Sequence, residues 1–91
     1  MTIRVIRKVR IVNDLGLHLR AAGVLVQAAS QYKADIWLSR DSMEANAKSI
    51  MSVLSLAASS GVELELAAQG EDAEEAVVAI ADLISGGFES R

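Results

Sequence analysis

The 91-residue chain has no cysteine, one histidine and three aromatic residues. The missing cysteine excludes disulfides, thiolate chemistry and cysteine-based zinc sites, and it fits a reducing compartment. With so few aromatics, aliphatic side chains must fill any core. No apolar run approaches the roughly 18–20 residues needed to cross a bilayer as a helix. No signal-peptide pattern opens the chain, because Met1-Thr2-Ile3-Arg4-Val5 runs straight into a strand pattern. The expectation is a protein of the cytoplasm that does not insert into membranes. No aromatic residues interleave with the basic ones and the net charge is −3, so a nucleic-acid partner is not expected.

What is present suits a single domain spanning residues 1–91, since 52% of the residues are apolar. Charge is divided unevenly. Residues 1–50 hold eight Lys/Arg against four Asp/Glu, a net of +4, and residues 51–91 hold one against eight, a net of −7. The basic half carries the histidine. That charge either steers an acidic or phosphorylated partner or simply solvates a strand face.

Periodicity divides the chain into seven elements. Residues 2–12 alternate, with Ile3, Val5, Val9 and Ile11 on one face and Arg4, Lys8 and Arg10 on the other. Arg7 breaks the apolar side and Ile6 the polar one. Asn13-Asp14-Leu15-Gly16 forms a turn. Residues 19–32 read as a helix with Ala21, Val24, Leu25, Ala28 and Ala29 on one stripe, and Gly23 as a site of close packing. Residues 34–39 form a strand, with Ile36 and Leu38 inward or Trp37 if the register flips. Arg40-Asp41-Ser42 turns the chain into a short strand over 43–45. Residues 48–56 read as a short helix, and 62–68 as a strand with Val62, Leu64 and Leu66 inward. Asp72 and Glu75 resemble a capping box. They open a helix that buries Ala76, Val77, Ile80, Ala81 and Ile84 and stops at Gly86-Gly87. The order βαββαβα predicts an α+β fold: a four-stranded antiparallel sheet covered on one face by three helices.

Candidate chemistry centres on Gly16-Leu17-His18-Leu19-Arg20-Ala21-Ala22. His18 follows a strand and a turn and opens a helix, outside both apolar stripes. A metal site is poorly supplied, since Asp14 is the only nearby ligand. A serine–histidine hydrolase lacks a glycine-flanked serine. A phosphorylatable imidazole needs less. A helix N-terminus disfavours the imidazolium and so keeps the ring neutral. First-turn amides, here those of Leu19 and Arg20, have no intrahelical partner and can bind phosphoryl oxygens. The Arg20 guanidinium can bind them too, and a cation at this helix end is unfavourable without an anion to answer it. The bland alternatives are a structural histidine and a solvated arginine.

Gly16-Leu17-His18-x-Arg20-x-Ala22 resembles the active-site signature of HPr, the histidine-containing phosphocarrier family of the phosphoenolpyruvate-dependent sugar phosphotransferase system. Ala47-Lys48-Ser49-Ile50-Met51-x-Val53-x-x-Leu56 is similar to that family's regulatory serine segment. Gly70-Glu71-Asp72-Ala73-x-x-Ala76-Val77 is similar to its last strand-to-helix junction. The resemblance spans nearly the whole chain and implies the family's open-faced β-sandwich. It implies a phosphocarrier that is not an enzyme and needs no cofactor or metal. His18 would accept a phosphoryl group on Nδ1 (a pros-phosphohistidine) from phosphorylated enzyme I and donate it to enzyme IIA domains, with Arg20 assisting. Ser49 would be a regulatory phosphorylation site, served by an HPr kinase/phosphorylase in organisms that have one. Serine at a helix start is also, more simply, an N-cap. Leu19, Ile50, Met51 and Leu54 would form the partner-docking face of a monomer, although residues such as the last three are more often core than surface.

The chain departs from the family pattern in three places. Ala21 stands where proline is usual, Leu19 where a small residue is usual, and Ser52 where Gram-positive versions have glycine. These departures leave open a nitrogen-regulatory or other regulatory carrier, and outside the family an α+β interaction module without phosphorylation.

Overall fold

The computed structural model describes residues 4–89, so the expectation for Ile3 lies outside the described residues. Seven elements follow in the expected order: β1 (Arg4–Arg10), α1 (Leu19–Ala29), β2 (Asp35–Arg40), β3 (Met43–Asn46), α2 (Ile50–Leu54), β4 (Glu63–Gln69) and α3 (Ala73–Ser85). The strands form one sheet in the order β1-β4-β2-β3, and every neighbouring pair is antiparallel. The helices cover one face, giving the α+β open-faced sandwich.

Alternation decides which strand residues meet the helices. Val5 pairs with Ala68 and Val9 with Leu64, while Leu38 lies between Leu66 and Ala45. Ile11, Ile36, Leu38, Leu64 and Leu66 are fully buried beneath Leu25, Val53, Ile80 and Ile84 from the three helices. The register therefore places Ile36 and Leu38 inward and leaves Trp37 on the open face. Arg7 stands in the apolar row opposite Leu66 yet stays exposed, because β1 is an edge strand. On the open face Ala67 lies between Ile6 and Trp37 and is only 2% exposed. The Arg4 guanidinium stacks 4.5 Å from the centre of the Trp37 ring and pairs with Glu44 at 3.1 Å. Arg10 pairs with Glu63 at 3.6 Å. Two of the basic residues on β1 thus answer glutamates of the same sheet, which favours the solvated-face reading of that charge.

Several local expectations need correction. α1 ends at Ala29 rather than Tyr32, with Ser30 as its cap and a turn through Tyr32. α2 is shorter than 48–56. Lys48 lies outside it, its amide bonded to Asn46 Oδ1 at 2.9 Å and its ammonium to the Tyr32 carbonyl at 2.7 Å. Gly23 packs against nothing, since a Cβ placed there meets no atom within 4 Å. Asp72 flanks α3 but makes no capping bond. Its carboxylate instead accepts the amides of Lys33 and Ala34 at 2.9 and 2.8 Å. The cause is the approach of two chain segments: Gly70, at φ +142°, lies so close to Ala34 that a Cβ would sit 2.8 Å from its Cα. These bonds, the one from Lys33 first, hold the Asp72 carboxyl below its ordinary value of 3.8.

Candidate functional site

The site is built where β1 hands the chain to α1. The Gly61 amide donates to the Ile11 carbonyl at 2.7 Å, and the chain then turns through Asn13–Gly16, closed by the Gly16 amide on the Asn13 carbonyl at 3.1 Å. Gly16 adopts φ +67°, and a Cβ there would stand 2.5 Å from the Ala58 carbonyl oxygen. Only glycine fits both demands. The next amide, Leu17, donates to that same Ala58 oxygen at 2.8 Å. Leu17 is buried and His18 emerges half-buried beside it.

His18 is the N-cap of α1, with extended backbone at φ −79° and ψ 176°. Its carbonyl accepts the Ala22 amide at 2.9 Å, which starts the helix. Its side chain turns back over the first turn, where Nδ1 accepts the Arg20 amide at 3.2 Å. A ring nitrogen that accepts a hydrogen bond carries the lone pair, so the neutral ring bears its proton on Nε2. In that tautomer Nδ1 is the ring nitrogen with a lone pair. The long bond to the Arg20 amide leaves a donor in place for an oxygen of any group that Nδ1 acquires. His18 lines a depression of about 420 Å³ together with Arg20, Asp14, Val24, Phe88 and Glu89. Arg20 is exposed and forms no ion pair among the described residues. No cluster of three or more His, Asp or Glu able to hold a metal occurs among the described residues.

Ser49 is the N-cap of α2, half-buried, with its hydroxyl accepting the Ser52 amide at 3.4 Å. Ser52 contributes a second bond, its Oγ accepting the Asn46 amide at 3.0 Å. Leu19 is 67% exposed, Met51 76% and Ile50 38%, while Leu54 is half-buried. Ile50 and Met51 are therefore surface rather than core. α1, which His18 caps, packs against α2, which carries Ile50, Met51 and Leu54.

Four further residues shape this region, three of them expected only as turn residues and Phe88 not expected at all. Asn13 Nδ2 donates to the Gly16 carbonyl at 2.7 Å. Arg40 donates to the carbonyls of Leu56 and Ala57 at 3.0 and 2.9 Å, holding the exit of α2. Leu15, 76% exposed, stands on the turn before the histidine. Phe88, buried at φ +63° just after α3, lines the same depression as His18. A lone phenylalanine directly after Gly86-Gly87 was the one signal in the sequence that could have found it.

Fold and site together define a small open-faced sandwich that presents one helix-capping imidazole beside one arginine. Residues 5–86 match the family model described as the PTS HPr component phosphorylation site. The phosphocarrier protein HPr of Treponema pallidum (strain Nichols) is 46% identical over 85 residues, covering 93% of this chain and 97% of that protein. The HPr-like protein Crh of Bacillus subtilis is 44% identical over 75 residues, covering 82% and 88%. The crystal structure of HPr-C-His from Thermoanaerobacter tengcongensis is similar at a TM-score of 0.90 and 41% identity, covering 96% of this chain and 98% of that one. The chain belongs to the HPr family, the phosphocarrier proteins of the phosphotransferase system.

Proposed function

We propose that the chain is a stoichiometric phosphoryl shuttle with no turnover, cofactor or metal of its own. His18 Nδ1 takes the group from phosphorylated enzyme I and passes it to an enzyme IIA domain in the cytoplasm. The observation that carries this reading is the capping bond: an accessible imidazole whose Nδ1 already faces a first-turn amide. Removing the group's charge from water is offset by the Leu19 and Arg20 amides, the helix dipole and the Arg20 guanidinium. Transfer of this kind depends chiefly on positioning and charge stabilisation, which the site supplies without other groups. Leu19, Ile50, Met51 and Leu54 form the docking face for both partners. Ser49 is the regulatory position: its hydroxyl caps α2, and a phosphate there meets a helix start that tolerates negative charge.

The direct test is incubation with enzyme I and phosphoenolpyruvate, followed by mass measurement. One added phosphate is expected, labile in acid and absent from His18→Ala. A phosphate that survives acid refutes the assignment to His18.

A regulatory carrier is the second reading. It is favoured by Leu19, a large exposed apolar residue beside the histidine, and by likeness to Crh, described for Bacillus subtilis as the catabolite repression HPr. Kinetic comparison of sugar-specific and regulatory enzyme IIA domains as acceptors separates the two.

A further inference from the structure

The turn that delivers His18 is held by a side chain with no part in the reading above. Asn13 Nδ2 donates to the Gly16 carbonyl at 2.7 Å, and the same carbonyl accepts the His18 amide at 2.9 Å. One oxygen is thus shared between the Asn13 side chain and the backbone of the histidine. The Gly16 amide returns to the Asn13 carbonyl, so Asn13 grips the turn at both ends. Its Oδ1, by contrast, is buried with no partner among the described residues. A buried, unpartnered amide oxygen is costly. Stability alone does not select it; the Nδ2 donor is what the position uses. Asn13 also lines the depression that holds His18 and Arg20.

We infer that Asn13 is a positioning residue for phosphoryl transfer through His18, an inference that rests on the carrier reading. Its Nδ2 fixes the Gly16 carbonyl, the carbonyl fixes the His18 amide, and the ring is held with Nδ1 over the first turn of α1. In the step served, the Nδ1 lone pair forms the new N–P bond. The donor's bond to phosphorus breaks, and its electron pair returns to the donor. The Nε2 proton stays on the ring, whose positive charge is answered by the phosphoryl oxygens. A misplaced ring loses this in-line geometry without losing the docking face.

The test compares Asn13→Ala and the isosteric Asn13→Asp, which lacks the donor, with wild type. Asp72→Ala serves as a destabilised control at the opposite end of α1. Phosphorylation by enzyme I is followed at a temperature where every variant is folded. Both Asn13 variants should lose kcat by about tenfold to a hundredfold with KM within about twofold, and Asp72→Ala should match wild type. Nitrogen-15 spectra of the imidazole should show Nδ1 as the acceptor in wild type and a mixture of tautomers in both Asn13 variants. Folded Asn13 variants with wild-type kcat and tautomer overturn the inference, as does an equal kcat loss in Asp72→Ala. Should the wild-type chain accept no phosphate, the carrier reading fails. The tautomer measurement then still decides whether Asn13 sets the ring, and an unchanged tautomer refutes it.

Discussion

At the scale of single residues, His18 serves two ends with one geometry. Its Nδ1 caps α1, and the same nitrogen is the proposed nucleophile. Arg20 stands beside it and forms no ion pair among the described residues. Arg20→Ala should therefore leave the fold intact and slow phosphoryl transfer by about 2 kcal/mol, roughly thirtyfold, the worth of a charge-assisted hydrogen bond. Stopped-flow phosphorylation beside a thermal melt checks both halves of that statement. Ser49→Ala removes a capping hydroxyl and should cost about 1 kcal/mol in urea unfolding, with no loss of phosphorylation at His18. The place of His18 at the start of α1 was legible from the turn before it and the helical pattern after it, and so was the capping position of Ser49. Asn13 was visible only as a turn residue, because its bond to Gly16 depends on a rotamer that sequence does not specify.

At the scale of elements, helix and strand identities followed from hydrophobic period, and the errors collected at the ends. α1 stops three residues early because the chain must turn through Tyr32 to enter β2, where Lys48 meets the Tyr32 carbonyl from a distant segment. Gly23 is an unneeded weakness in the same helix. Gly23→Ala should stabilise the protein by about 0.5–1 kcal/mol, read as a rise in urea midpoint, since the added methyl meets nothing. The Asp72–Glu75 spacing predicts a cap for α3, but Asp72 holds the chain entering β2 instead. Its carboxyl is depressed by the Lys33 and Ala34 amides, so its contribution is complete above the ordinary carboxylate value of 3.8 and is lost as pH falls below it. Wild type should lose stability more steeply than Asp72→Ala below about pH 4. Parallel acid titrations followed by circular dichroism measure the difference, and coincident curves refute the role.

At the scale of the whole molecule, the histidine loop and the loop after α2 form one unit. Gly16 rests against Ala58, Leu17 bonds to it, and Arg40 holds the two carbonyls just before it. Gly16→Ala should thus injure both loops at once. The clash and the left-handed backbone together should cost roughly 3 kcal/mol or more, and phosphorylation of the folded fraction should fall with it. A thermal melt and the enzyme I assay on one preparation check this, and a variant with wild-type melting excludes the coupling.

Alternating and 3.6-residue patterns carried the element order, the sheet's inner face and the place of the imidazole at a helix start, because each is a local property of neighbouring side chains. Three-dimensional packing alone decided that Asp72 binds the chain just before β2, 38 residues away, that Ile50 and Met51 lie on the surface and that Phe88 lines the depression. Each of these depends on which distant segments meet, and such meetings leave no period in the chain.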